Sequence, residues 1–313
     1  MHTRRNELAL YTTIYPAVLE YLPEWYYSVR SQTDQEFELW IGLDCLTRED
    51  IEKVLGRQVS AHWIAAPEGS TPAQVRQLAL SQIALRGLDV VLVDSDDILQ
   101  PSRVTGAREA LLRSDLAACA LEIVDETGRN VSAEFNLDPM LKPSQVLPRT
   151  NIFGFSNSAY RCELLERCLP IPREAVLVDW FLATRAWLYG AELAFDRSIR
   201  MKYRQYGFNT ARVRPPFRTE QVLSDTALVR RHFQLVLASG NQPQFLQGRW
   251  TQLLSAAHDL EQFERCIQNS ERLRVYVESL NRVVTQPIWW TSVAYPPLAH
   301  VWKQEKVLCR QSN

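Results

Sequence analysis

No stretch of this 313-residue chain reaches the ~18 consecutive apolar residues that a membrane-spanning helix needs. The opening segment MHTRRNELALYTT starts charged but lacks an adequate apolar core for a secretory leader, so none is expected. Cysteine pairs of the C-x-x-C kind are absent: Cys45, Cys119, Cys162, Cys168, Cys266 and Cys309 are scattered. In a chain of this size that pattern predicts reduced thiols in a cytoplasmic compartment, not a disulfide framework. His2, His62, His232, His258 and His300 are equally dispersed and show no zinc-type spacing. An excess of either charge is missing too, since 35 Lys plus Arg against 36 Asp plus Glu leaves a formal charge of -1. That balance argues against a nucleic-acid binder, which needs a basic field to meet phosphates. With no run of like charge, repeat or low-complexity tract, disordered and solenoid classes are also excluded. What remains is ordinary for a globular protein, 46% hydrophobic and 23% charged. The length allows one large α/β domain, or a domain with an appendage.

The first half alternates strand and helix signals, as a mostly parallel sheet requires. Leu8 to Tyr15 is a β-rich run ended by Pro16, and a helix is expected around residues 23–32. FELWIGLD spaces Phe37, Leu39, Ile41 and Leu43 at a period of two and ends on Asp44. A third strand is expected at residues 59–64. STPAQVRQLALSQIALRG is a helix with Ser70 or Thr71 as cap, Pro72 in its first turn and Gly87 at its end. DVVLVDSDD then drives an apolar strand into an acidic cluster. Further on, LEIVDETGRNVS reads as a hairpin, NIFGFSNSAY as a strand before the helix RCELLERC, and Asp179 opens the helix DWFLATRAWLYG. AELAF and IRMKYRQY are two more strand candidates, and after Pro215-Pro216 the texture is helical to about residue 284.

Asp94-Ser95-Asp96-Asp97 is the strongest local chemical signal. Parallel α/β sheets place ligands at the carboxyl ends of strands, which is where this cluster falls. Carboxylates gathered there repel one another unless protons, hydrogen bonds or a cation relieve them. A hard divalent ion held by one or two carboxylates together with substrate phosphates meets that need. The alternative is that Asp97 caps a helix starting near Pro101 while its neighbours are solvated.

The ordered series FELWIGLD, STPAQVRQLAL, VVLVDSDDILQPSRV, a later Asp before a helix, and YRQYGFN resembles the family 2 glycosyltransferases of the GT-A fold, over roughly residues 8–212. The resemblance implies an α/β fold, a GT-A-type mostly parallel sheet flanked by helices in a Rossmann-like α/β/α sandwich. It implies a catalytic domain over residues 1–212, with 213–313 a helical C-terminal extension. The implied reaction moves a sugar from a nucleotide-sugar donor, a UDP-sugar favoured, to a saccharide or lipid-linked acceptor with inversion, assisted by Mn2+ or Mg2+.

Matched position by position, the resemblance implies that Thr13 and Tyr15 line the nucleotide and Asp44 bonds its base. Arg76, in the first turns of a helix, is suited to a diphosphate; a solvated helix arginine is its alternative. Asp94 is implied at the ribose and Asp96 at the metal. Asp179 is implied as the general base that takes the acceptor hydroxyl's proton, although an Asp there also suits a helix N-cap. Trp180 beside it reads either as a sugar platform or as a core tryptophan. Tyr206 replaces the family's histidine in YRQYGFN, so Arg204 and Tyr206 are expected to face phosphate oxygens. Asn157 is placed on the acceptor side by chain order.

Beyond residue 213 the helical segments match no family. IWWTSVAYPP, flanked by Arg282, Lys303 and Lys306, puts Trp289 and Trp290 where a peripheral membrane contact suits them; packing within the protein or in a homodimer is the other reading. Two other functions stay open: a catalytically silent nucleotide-sugar-binding module, and a nucleotidyltransferase. Against the latter, TTIYPAVLEYLP supplies no Gly-rich, Lys-bearing phosphate loop after the first strand.

Overall fold

Three apolar runs and one shorter strand build the parallel half of the sheet. The computed structural model describes residues 7–207, 209, 213–287, 290 and 292–303; Ile288, Trp289 and Lys306 of the aromatic segment and its flank lie outside them. The elements begin with β1 (Leu8–Ile14), α1 (Leu22–Arg30), β2 (Glu38–Leu43), α2 (Arg48–Leu55), β3 (His62–Ala65), α3 (Pro72–Leu85) and β4 (Asp89–Leu92). All pairings among these strands are parallel, in the order β3-β2-β1-β4. The chain steps outward from β1 to β3 and then returns to the other side of β1. The carboxyl ends of β1 and β4 therefore flank a topological switch point, where open α/β sheets form their ligand crevice.

Helices cover both faces, and this alters β2. Its period-two pattern predicts one solvated face, yet Leu39 to Leu43 are all buried, as expected for a parallel strand covered on both sides. Gly42 has a steric reason to lack a side chain. A Cβ there would lie 2.9 Å from the Tyr11 hydroxyl and 3.1 Å from Val75 of α3. The close approach brings α3 down onto the sheet. Thr71 caps that helix: its hydroxyl accepts from the Gln74 N–H at 3.3 Å, and the Gln74 side chain accepts from the Thr71 N–H at 2.9 Å.

The second half continues with β5 (Ile98–Leu99), α4 (Arg103–Leu111), β6 (Leu116–Val124), β7 (Asn130–Phe135), α5 (Pro143–Val146), β8 (Ser158–Tyr160), α6 (Cys162–Cys168), α7 (Val178–Leu188) and β9 (Leu193–Arg204). β8 joins β4 and β6 antiparallel, β9 lies parallel to β6, and β5 closes the path antiparallel to β9. β6 and β7 form the expected hairpin, with Gly128 at φ 79° in its turn. AELAF and IRMKYR merge into the single strand β9, with register shifts opposite Cys119 to Leu121. Most of NIFGFSNSAY is irregular, because only Ser158–Tyr160 pair while residues 151–157 turn towards the crevice.

α8 (Thr219–Ala238), α9 (Gln247–Ile267), α10 (Ser270–Val283) and α11 (Ala299–Trp302) follow. They pack on the end of α7, where the Leu246 N–H donates to the Leu188 carbonyl at 2.9 Å. The apolar core runs without a break from β1 through Trp180 and Trp187 to Phe263 and Trp302. Among the described residues no helix is long and apolar enough to cross a membrane. The expected α/β class with a GT-A-type sheet between helices, extended by helices at its C-terminus, is the fold observed.

Candidate active site

The crevice at the ends of β1 and β4 is an open cleft of about 870 Å³, lined among others by Tyr15, Arg76, Asp94, Asp96, Asp179 and Tyr206. Five parts of the chain supply these groups, Tyr206 coming from the segment after β9. β1 delivers Tyr15, and the turn after β4 delivers Asp94 and Asp96. α3 delivers Arg76, and the first turn of α7 delivers Asp179.

The acidic turn is held from several directions. The Ser95 hydroxyl donates to the Thr13 carbonyl at 2.8 Å, tying the turn to β1. The Asp94 N–H donates to the Ser156 hydroxyl at 3.0 Å. Asp97 points inward, accepting from the Arg204 N–H at 2.7 Å and from the Ser156 hydroxyl. Asp97 is thus a buried anchor, not the N-cap of the next helix, whose cap position is Ser102. The carboxylates left facing the cleft are Asp94, Asp96 and Asp179. Arg76 NH2 stands 3.5 Å from Asp94 Oδ1, and its guanidinium lies over Phe155 at 4.5 Å. The Arg76 Nε–H is buried without a partner among the described residues. Among the described lining residues Arg76 is the one cation. A guanidinium lining the cleft is suited to an anion.

Burial in this cleft raises all of these carboxyls. Desolvation pushes Asp94 up to about 7, with Arg76 opposing and Asp96 and Asp179 adding repulsion. Asp96 is raised by burial, which the Tyr206 phenol partly offsets by donating to Asp96 Oδ2 at 2.5 Å. Asp179 is raised by burial against its backbone hydrogen bonds and Arg76. A carboxyl raised in the folded state binds its proton more tightly there than in the unfolded chain. Stability is therefore depressed above about pH 7 and recovers as pH falls towards the unfolded value near 4. His232, buried neutral and held down to about 3 by desolvation, works in the opposite sense below about pH 6.5. Comparison with Asp94→Asn isolates the carboxyl. The variant should melt higher than wild type at pH 8, by about 2 °C for each kcal/mol at this length, and the gap should shrink by pH 5. Melting curves at the two pH values check this, and an unchanged gap would refute the assignment.

Not every residue expected at the site reaches it. The Thr13 hydroxyl pairs with the Tyr11 hydroxyl at 2.9 Å and does not line the cleft. Asp44 sits at the end of β2, also outside the lining, with its N–H donating to the Ile14 carbonyl at 3.0 Å. Arg204 is 1% exposed and turned inward. Its Nε–H donates to the Asp96 carbonyl at 2.8 Å, NH1 to the Glu126 carbonyl at 2.8 Å, and NH2 pairs with Glu24 at 2.6 Å. Arg204 therefore grips the acidic turn by its backbone and does not face phosphate. Asn157 is fully buried, donating to the Cys119 and Ile152 carbonyls at 2.8 and 3.2 Å, so it presents nothing to an acceptor. Trp180 is a core tryptophan, 0% exposed and stacked on His232 with centroids 4.4 Å apart. Asp179 is not the N-cap of α7 either, since Leu177 holds that position and Val178 starts the helix. Its carboxylate accepts from the Trp180 N–H at 2.8 Å and from Asn151 Nδ2–H at 3.1 Å.

Three contributors were not singled out for these roles from sequence. Asn151 and Ser156 hold Asp179 and the acidic turn from within NIFGFSNS, a segment whose density of Asn, Gly and Ser was its only signal. Trp290 closes one side of the cleft, buried at 6% exposure and stacked on Trp180 at 6.2 Å. That placement removes Trp290 from any membrane surface.

Neither a protein-family model nor a curated protein matches the chain. Among solved structures it is similar to S. aureus TarS 1-349 in complex with UDP-GlcNAc, at 17% identity and a TM-score of 0.51, covering 94% of this chain and 90% of that one. It is also similar to the mannosyltransferase PcManGT from Pyrobaculum calidifontis in complex with GDP-Man and Mn2+, at 15% identity and a TM-score of 0.55, covering 95% and 80%. Likeness at such low identity speaks to the fold, and the chain shares the fold of these two proteins.

Proposed function

We propose that the chain is a glycosyltransferase of the family 2 type, moving a sugar from a nucleotide donor to an acceptor hydroxyl with inversion. One observation carries the reading: Asp94 and Asp96 from the turn after β4, Arg76 from α3 and Asp179 from α7 meet in one cleft at the sheet's switch point. Two structures of this fold hold UDP-GlcNAc and GDP-Man, which supports a nucleotide-sugar donor; the preference for a UDP-sugar rests on the resemblance alone. Residues 1–212 would form the catalytic unit, with 213–313 an extension that reaches back to the cleft through Trp290.

A divalent cation fits the donor set. Among the described residues no three His, Cys, Asp or Glu side chains gather into a complete cage. Asp94 and Asp96 instead suit the arrangement in which one or two carboxylates hold Mn2+ or Mg2+ and phosphate and water complete the shell. Such an ion supplies charge neutralisation for the departing diphosphate. The chain's own groups do the rest. Arg76 offers its guanidinium to the diphosphate, and Arg204 and Ser156 fix the acidic turn in place. Asp179, oriented by Asn151 and the Trp180 N–H, takes the acceptor proton as the hydroxyl attacks the anomeric carbon. Its burial makes it a stronger base than a solvated aspartate while it remains ionised.

Product analysis tests this reading. A glycosyltransferase releases nucleoside diphosphate from a nucleotide sugar, and Asp96→Ala should reduce that release at least a hundredfold, in line with the loss of a charge-stabilising group. Pyrophosphate release from a nucleoside triphosphate would identify a nucleotidyltransferase instead. The Tyr206 phenol, by occupying an oxygen of Asp96, favours one rival: a module that binds donors without turnover. Metal-dependent donor binding with no diphosphate released against any acceptor or water would establish it.

A further inference from the structure

Just past the end of β9, Tyr206 reaches back over the acidic turn. Its hydroxyl donates to Asp96 Oδ2 at 2.5 Å, as short as such bonds become when the acceptor is a carboxylate. The Tyr15 hydroxyl is a second hydrogen-bond neighbour of the phenol. The ring packs on Tyr21 with centroids 5.3 Å apart, and the Tyr206 N–H donates to Asn209 Oδ1 at 2.5 Å. Hydroxyl, ring and backbone are each held, so the contact with Asp96 is built into the site.

The contact limits what Asp96 can do. Asp96 is 8% exposed, so little of its carboxylate meets the cleft. One oxygen receives the phenol, and the carboxylate also accepts from its own backbone N–H. Hydrogen bonds already made to a carboxylate compete with a cation for the same lone pairs. A phenol is neutral at pH 7 and adds no negative charge to hold a cation in exchange. Tyr206 therefore opposes metal binding at Asp96 for as long as its hydrogen bond stays there. Releasing Asp96 would cost the phenol a partner unless another acceptor is at hand. A diphosphate brings acceptor oxygens into the cleft whose wall Tyr206 shares with Arg76.

We propose that Tyr206 is a latch on Asp96. It withholds the carboxylate from a divalent ion until a nucleotide's phosphate takes over the phenol's hydrogen bond, so metal is held well only together with the donor. Tyr206 is then a positioning residue and not a metal ligand. The proposal rests on the glycosyltransferase reading for the identity of the nucleotide, while the latch itself belongs to Tyr206 and Asp96.

Mn2+ binding to the full chain, read from loss of the free ion's electron paramagnetic resonance signal, tests this in wild type and Tyr206→Phe. Phenylalanine keeps the ring beside Tyr21 and removes only the hydroxyl, and melting curves check that the variant folds. With Mn2+ alone, Tyr206→Phe should bind roughly tenfold more tightly than wild type, which is what one hydrogen bond to a charged group is worth. With saturating UDP or GDP the two proteins should agree within about threefold, because the coupling between nucleotide and metal runs through the phenol. A merely structural tyrosine would not make the difference depend on nucleotide. Adding Asp96→Ala to Tyr206→Phe should abolish the gain. Equal or weaker Mn2+ binding by Tyr206→Phe alone, no binding by either protein, or a gain that survives Asp96→Ala overturns the proposal. So does a gap that persists with a nucleotide shown to be bound. The thermal shift of wild type with UDP-GlcNAc and GDP-Man is read separately. If neither produces one, the glycosyltransferase reading fails, while the comparison with Mn2+ alone still decides whether Tyr206 restrains Asp96.

Discussion

Asp179→Asn is expected to lower sugar transfer by about 10²–10⁴-fold, the usual contribution of a positioned general base. Asparagine keeps the shape of the side chain and can still accept from the Trp180 N–H that now meets Asp179 at 2.8 Å. What it loses is the capacity to take a proton. Donor affinity should therefore hold within a few-fold. Removing a buried charge should leave the melting temperature level or raise it, since burial is what lifts this carboxyl. The combination separates a base from a structural aspartate, whose loss would lower stability and leave chemistry nearly intact. Nucleoside diphosphate release at saturating donor measures the effect. A rate within tenfold of wild type would remove Asp179 from the mechanism.

The second large effect concerns Arg204, which the resemblance pointed towards phosphate and the structure turns inward. Arg204→Ala would strip partners from the Asp96 and Glu126 carbonyls and leave a void beneath Tyr21, on which the guanidinium lies at 4.6 Å. The ion pair with Glu24 counts for less, because Glu24 is 51% exposed. Unmet buried acceptors and the void together cost about 3 kcal/mol, or about 6 °C at this length. Donor binding should weaken as well, since the Asp96 backbone loses the Nε–H that fixes the turn, although Asp97 keeps the backbone N–H of residue 204. Lysine should not rescue, as one ammonium cannot span the three directions the guanidinium reaches. An Arg204→Ala protein with unchanged melting temperature and weakened donor binding would restore the phosphate role.

The contrast between these two residues shows what was legible in the sequence. The place of Asp179 in the cleft was legible because a carboxylate at a helix start follows the Asp-x-Asp strand in the order of the resemblance. Its partner Asn151 was not, because the pairing spans 28 positions of chain and runs through an irregular segment. Arg204 was misjudged for a related reason. Sequence shows an arginine near the end of a strand, but whether it faces solvent or core depends on how β9 lies against the acidic turn, and only tertiary packing decides that. β1, β2, β4 and α3 were readable from periodicity and caps. β5 was not, since two residues carry no periodicity at all. Trp290 was open by composition to a membrane contact or to packing, and the structure buries it against Trp180 of α7, far away in sequence.

Thermal denaturation of wild type and Asp96→Ala with UDP- and GDP-sugars, each with and without Mn2+, tests the central claim most directly. The account predicts a concentration-dependent rise in melting temperature with at least one nucleotide sugar, enhanced by Mn2+ in wild type and not enhanced in Asp96→Ala. No shift with any nucleotide sugar, or a metal-enhanced shift that survives in Asp96→Ala, would contradict it.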